Sequence, residues 1–355
     1  MKGIKKAMKK LLSLTLAAAL TLTTLTACGS KEEVQEVNVL NWGEYIDMDV
    51  LDAFEAETGI KVNYKTVTDN ETLYNNLQTP GSDYDVIIPS DYMISRLISE
   101  DMIQPLDFDA IPNFADIDDN FVNPSYDPTN AYSVPYMWGT VGIIYNTTMI
   151  EEEITSWDAL FDTQYKGQVL MINNSRDAIG VALKTLGYSY NTENTAEITE
   201  AVDLLVQQKA DGIVQAYVMD EIFDKLEGGE AAIGVYYAGD YLTMAENNPD
   251  LAYAVPVEGS NYFVDAMCVV TDAPNYDNAQ AFINFMCSTE TGVANAEEIG
   301  YSSPLMSVVA ALDEEISSDE VAYPSDEVLS TCEQFINLSQ DILDFYDSEW
   351  LRLKI

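Results

Sequence analysis

Trp42-Gly43-Glu44-Tyr45 follows directly on the apolar run Val37-Asn38-Val39-Leu40, which places two aromatic rings and a carboxylate in one loop. A ring face carries negative quadrupole potential and a carboxylate carries full charge, so such a loop can grip an ammonium from two sides. The plainer alternative is that Trp42 and Tyr45 pack beneath a surface Glu44. The apolar run reads as a strand, and in open α/β sheets ligands sit in the crevice beyond the strand carboxyl ends. The expected chemistry is recognition of a cation.

Charge points the same way. The chain has 60 acidic residues, 16 basic ones and no histidine. Such a surplus repels nucleic acid phosphates and attracts cationic solutes. Lack of histidine removes the commonest general base, the Ser-His-Asp and Cys-His systems and the usual zinc sites. No phosphate-binding glycine loop, dinucleotide fingerprint or calcium loop is present, so neither a cofactor nor a metal is expected. A pair of carboxylates suited to hydrolysis stays open, because acids are abundant everywhere.

The first 27 residues read as an address. Lys2, Lys5, Lys6, Lys9 and Lys10 precede the apolar and small-residue stretch Leu11–Leu25, which is short and Thr-rich for a membrane span. It ends in Leu25-Thr26-Ala27-Cys28-Gly29, which resembles a lipobox with Cys28 as the acylated first residue. Cleavage would leave 328 of the 355 residues and 11 of the 16 basic ones, since five lysines are removed. Residues 28–36 then read as a polar tether. No later segment has some 18 consecutive apolar residues, so the only expected membrane attachment is the anchor. Cys268, Cys287 and Cys332 are odd in number, which leaves at least one thiol free unless chains pair. Cys268, in an apolar run, reads as a small buried hydrophobe.

Strands and helices that could position the loop alternate along the chain. Strands are expected at 37–41, 60–64, 85–89, 169–172, 233–237, 253–257 and 266–271. Helices are expected at 48–58, 69–78, 92–100, 177–186 and 195–209, with a further one through Tyr241 and Met244 after a turn, and a mostly helical tail over 326–353. Alternation of this kind means α/β architecture with crossover helices. The length is ample for two lobes with a cleft between them.

Several segments in order carry a resemblance: Leu40-Asn41-Trp42-Gly43-Glu44-Tyr45, Glu57-Thr58-Gly59-Ile60-Lys61-Val62, Pro89-Ser90-Asp91-Tyr92, Tyr132-Ser133-Val134-Pro135-Tyr136-Met137-Trp138-Gly139 and Ile299-Gly300-Tyr301. Over about 37–350 the chain resembles the spermidine/putrescine-binding proteins of bacterial polyamine ABC importers. The resemblance implies a two-lobed periplasmic-binding-protein-like fold of type II with the ligand cleft between lobes. Lobe one would be 34–140 plus 264–309, and lobe two 141–263 plus 310–355. It also implies a monomer anchored at the outer face of the cell membrane, which binds polyamine and hands it to a permease.

Residue by residue, the resemblance places Trp42, Glu44 and Tyr45 against the ligand, with Ser90 and Tyr92 from a second loop. Where the family has two acids, this chain has Asn174 and Asp177. Tyr237-Ala238-Gly239-Asp240 resembles the putrescine binders' Trp-Ala-Gly-Asp, whereas Glu44 belongs to the spermidine pattern. Phe263 and Asp265 keep an aromatic-x-Asp pattern, and Tyr301 matches a further ring. A family glutamine falls near Gln334 and Phe335, where the match slips by one position. Two rival readings are a receptor for another organic cation and a secreted carboxylate-pair hydrolase.

Overall fold

The computed structural model describes residues 35–355. The expected signal peptide (1–27), Cys28 and all but the last two residues of the tether lie outside the described residues. One sheet organises the fold, in the order β2-β1-β3-β10-β5-β8-β6-β7, with β4 on β10 and β9 on β5. The strands are β1 (Glu36–Trp42), β2 (Lys61–Val67), β3 (Val86–Ile87), β4 (Ile103–Gln104), β5 (Ser133–Asn146), β6 (Val169–Ile172), β7 (Val214–Val218), β8 (Ile233–Tyr237), β9 (Leu251–Ala254) and β10 (Tyr262–Val270).

The strands β1, β2 and β3 are mutually parallel, as are β6, β7 and β8. β5 joins the two groups. Its residues from Ser133 to Thr140 pair antiparallel with β10, and those from Val141 to Tyr145 pair with β8. All fourteen residues of β5 are buried, as expected for a strand covered on both faces.

Local sequence explains the helix boundaries. Asp47 caps Met48–Thr58 by accepting from Asp49 N, and Gly59 ends that helix at φ 73°, a conformation costly for residues with a Cβ. Asp69 caps Asn70–Gln78 through Thr72 N. Asn174 caps Ser175–Thr185 through the backbone N–H groups of Arg176 and Asp177.

Several expectations need correction. The third strand spans only Val86–Ile87, because Ile88 N turns to Leu40 O and Ala266 N takes Pro89 O. Apolarity at 85–89 reflects burial rather than strand length. No turn follows β8: the helix Ala238–Asn247 starts at once. The strand expected at 253–257 is Leu251–Ala254, and that expected at 266–271 begins at Tyr262. β5 runs from Ser133 to Asn146 and so crosses the 140/141 position at which the two lobes were expected to divide.

The tail is helical at Asp326–Leu329 and Gln340–Lys354 but not between them. There Glu333 N donates to Ser260 O (2.8 Å) and Tyr262 N donates to Glu333 O (3.0 Å), so tertiary pairing displaces helix. Cys268 is buried, and Cys268, Cys287 and Cys332 are all free thiols. No helix of the described residues is long and apolar enough to cross a membrane.

Gly142, in the second half of β5, marks a close approach. A Cβ there would lie 2.4 Å from Tyr253 Cζ and 2.6 Å from Ala254 O, while Tyr253 donates to Thr140 O at 2.9 Å. Gly142→Ala is expected to lower stability by about 1–3 kcal/mol through overpacking. Urea denaturation of the variant against wild type measures this, and an unchanged midpoint would mean that Tyr253 moves aside freely.

Candidate functional site

The carboxyl ends of all six parallel strands open on one cavity. β1 delivers Trp42, Gly43 and Tyr45, and β2 delivers Val67 to Asn70. Ser90, Asp91 and Tyr92 follow β3, Asn174 and Asp177 follow β6, Met219 and Asp220 follow β7, and Tyr236, Tyr237 and Asp240 come from β8 and the first turn of the helix Ala238–Asn247 that starts directly after it. The antiparallel β10 adds Phe263 and Asp265 with Asn261 just before it, and Tyr301 and Phe335 complete the wall. The cavity has about 780 Å³ of atom-free space, its open mouth included, which is the size of a small-molecule site.

Of the residues expected to meet a ligand, Trp42, Tyr45, Ser90, Tyr92, Asn174, Asp177, Tyr237, Asp240, Phe263, Asp265 and Tyr301 all line this cavity. Glu44 does not. It sits at φ 46° in the turn after β1, and its side chain is exposed. That left-handed turn sends the neighbours Trp42 and Tyr45 inward and Glu44 outward, so its charge reaches Asp240 through space rather than by contact. Asn174 lines the wall, but its Oδ1 is engaged by the backbone N–H groups of Arg176 (3.0 Å) and Asp177 (3.4 Å).

Three of the buried acids in the wall are each met by a tyrosine hydroxyl, whereas Asp91 accepts from the backbone N–H of Tyr92 at 2.7 Å. Tyr45 donates to Asp265 Oδ2 at 2.8 Å, Tyr301 to Asp240 Oδ2 at 2.7 Å, and Tyr237 to Asp177 Oδ2 at 3.2 Å. The rings form a continuous wall. Tyr45 and Tyr301 meet edge to face at 4.7 Å, and Tyr237 and Phe263 meet at 5.3 Å. A register shift between β10 and β5 falls at Asp265/Ala266, beside the bridge from Asp265 to Ser90. Bulges of this kind re-aim a side chain, here that of Asp265. Asp265 Oδ1 meets no hydrogen-bond donor among the described residues.

None of the ion pairs among the described residues involves these acids. Arg176 is near Asp177, but its guanidinium is stacked 4.4 Å from the Phe335 ring centroid and 5.0 Å from that of Tyr92. Burial therefore dominates the titration of the acids. It pushes Asp177 and Asp265 up to about 6, and Asp240 up to about 8. Asp91, also buried, is raised for the same reason. Aromatic walls with buried carboxylates at intervals suit a cation with an apolar body.

Sequence reasoning did not select Asp220, Asn261 or Phe335. Asp220 faces the first loop so closely that a Cβ on Gly43 would lie 2.8 Å from its Oδ2. Asp220 follows β7, a strand that the sequence pattern did not reveal, so its place after a strand end gave no signal. For Phe335 there was none beyond the uncertain match at Gln334.

Comparison with known proteins agrees with this architecture. Residues 49–324 match the family model of the bacterial extracellular solute-binding protein. The spermidine/putrescine-binding periplasmic protein of Salmonella typhimurium is 33% identical over 316 residues, covering 88% of this chain and 90% of that protein. A Haemophilus influenzae protein of the same name, numbered 1, is 31% identical and covers 98% and 99% of the two chains. Among solved structures, the substrate-binding protein of a spermidine/putrescine ABC transporter from Streptococcus pneumoniae superposes with TM-score 0.77 at 38% identity, covering 90% and 98%. These neighbours share the type II periplasmic-binding fold. By sequence and by fold, this chain belongs to the bacterial extracellular solute-binding proteins.

Proposed function

We propose that the protein is a lipid-anchored monomer that captures spermidine or putrescine outside the cytoplasm and passes it to the permease of an ABC importer, without turning it over. The observation that carries this reading is the set of buried acids Asp177, Asp240 and Asp265, each held by a tyrosine hydroxyl in one aromatic-walled cleft. The names of its relatives support the same ligand class. The two groups of strands joined through β5 and β10 would act as lobes that close on the ligand.

The energies are sufficient. Each methylene buried against the rings contributes about 0.8 kcal/mol. Each ammonium–carboxylate hydrogen bond contributes roughly 1.5–3 kcal/mol. Two or three such bonds contribute roughly 3–9 kcal/mol and the four to seven methylenes about 3–6 kcal/mol, so together they reach the ~8 kcal/mol of micromolar affinity. Glu44, at the mouth, would add negative potential rather than a contact.

Isothermal titration with spermidine and putrescine tests the reading. Both should bind and be recovered unchanged. Asp265→Asn should weaken binding by about 1.5–3 kcal/mol, because it keeps shape and removes charge. Failure of both ligands to bind, with binding of a different organic cation, would transfer the cleft to that cation; turnover of a substrate would favour a hydrolase.

Binding should also depend on pH with a defined sign. In the folded free protein these acids keep their protons to about 6 (Asp177, Asp265) and about 8 (Asp240), above the ordinary carboxylate range. Their contribution to stability is thus greatest at low pH and is lost as pH rises through 6 and then 8. A bound ammonium favours the ionised forms, so it expels protons. Affinity should rise from pH 5 to 8, and calorimetry in buffers of different ionisation heat should detect proton release near pH 7. A pH-independent affinity would mean that the acids are ionised before the ligand arrives.

The anchor is tested separately. Cys28→Ala should leave the precursor uncleaved or release the protein from the membrane fraction. Unchanged processing and retention would exclude acylation at Cys28.

A further inference from the structure

Alternate residues of one edge of the cleft, Asn261, Phe263 and Asp265, line the cavity, while Tyr262 and Val264 between them do not. This is the period of a strand presenting one face. Asn261 is held from both sides. Its carbonyl accepts from Val141 N at 3.0 Å, at the point where β5 changes partner, and it bridges to Glu333 in the tail. The residue is only 2% exposed.

Its side chain is half used. Nδ2 donates to Asp177 Oδ1 at 3.2 Å, whereas Oδ1 meets no donor among the described residues. Burying an amide oxygen without a donor is unfavourable, and such atoms call for a partner. The cavity that Asn261 lines is where a partner would come from.

We propose that Asn261 is a ligand-contacting and specificity-determining residue of the cleft, whose Nδ2 fixes Asp177 while its Oδ1 accepts a hydrogen bond from the ammonium that Asp177 neutralises. The proposal rests on the polyamine reading above. An ammonium brings several donors and a carboxylate offers about four lone-pair sites, so Asp177 can serve Tyr237, Asn261 and the ligand together. A neutral acceptor at this point adds a hydrogen bond without a further charge in a cleft already crowded with acids.

Spacing gives Asn261 a role in choosing ligand length. It lies four residues from Asp265, about 13 Å along an extended strand. An extended chain advances roughly 1.2 Å per bond, so spermidine, with nine bonds between its terminal nitrogens, spans about 11 Å and putrescine, with five, about 6 Å. With side chains leaning inward, the triamine can place an ammonium at both Asp265 and the Asn261–Asp177 seat. The diamine seated at Asp265 stops short.

The test is titration of spermidine and putrescine into wild type, Asn261→Leu, Asp177→Asn and the double variant, with thermal melting to confirm folding. Asn261→Ser is the second variant should Asn261→Leu fold poorly. Asn261→Leu should weaken spermidine about tenfold to a hundredfold and putrescine less than about threefold. Part of the spermidine loss should persist in the Asp177→Asn background. Unchanged spermidine affinity, equal losses for both ligands, or a loss that vanishes without Asp177 would each overturn the proposal, the last showing that Asn261 only positions Asp177. In those cases the wild-type isotherms still stand for the polyamine reading. No wild-type binding of either polyamine would overturn both.

Discussion

A carboxylate removed from water must find hydrogen bonds or an opposite charge, since its desolvation alone costs several kcal/mol. This cleft places Asp177, Asp240 and Asp265 under that constraint at once. Much of the surrounding structure answers it. Tyrosines approach each acid, and their rings supply the apolar wall while their hydroxyls supply the donors. One residue type thus does two jobs. The geometry is held by neighbours: Tyr136 donates to Tyr45 O at 2.8 Å and fixes the turn from which Tyr45 reaches Asp265.

Close packing around the rings follows from the same demand. A Cβ on Gly239 would lie 2.1 Å from Tyr301 Cδ2, so the helix that carries Asp240 can lie against the ring that bonds Asp240 only because that position is glycine. Arg176 answers a related problem beside Asp177. Its guanidinium is spread over aromatic faces rather than paired with an acid, which leaves Asp177 to Tyr237 and Asn261.

Much of this was legible in the sequence, because loops at strand ends write their chemistry in consecutive residues. Trp42 and Tyr45, Ser90 and Tyr92, and Tyr237 and Asp240 follow apolar runs directly, so the site could be read wherever a strand could be. Glu44 does not line the cavity, because spacing in a loop does not fix φ, and a left-handed residue points its side chain elsewhere. Phe335 and Asn261 were missed because both owe their position to the pairing of the tail with the start of β10, which is a tertiary event with no local signature. The same pairing accounts for the false helix over 330–339. The Val86–Ile87 strand shows the converse: strong apolarity marked burial correctly and strand length wrongly.

The pairing of Glu333 with Ser260 and Tyr262 also bears on how the molecule is made. The wall of the cleft draws on residues from Trp42 to Phe335, so no short contiguous stretch of chain contains it. Arg176 alone reaches 160 positions ahead for the carbonyl of Ile336. Contacts of such sequence separation form late and slow the search for the native state. A chain emerging from the N-terminal end therefore has strands and helices long before it has a binding site, and recognition of a solute begins only when nearly the whole chain has been made.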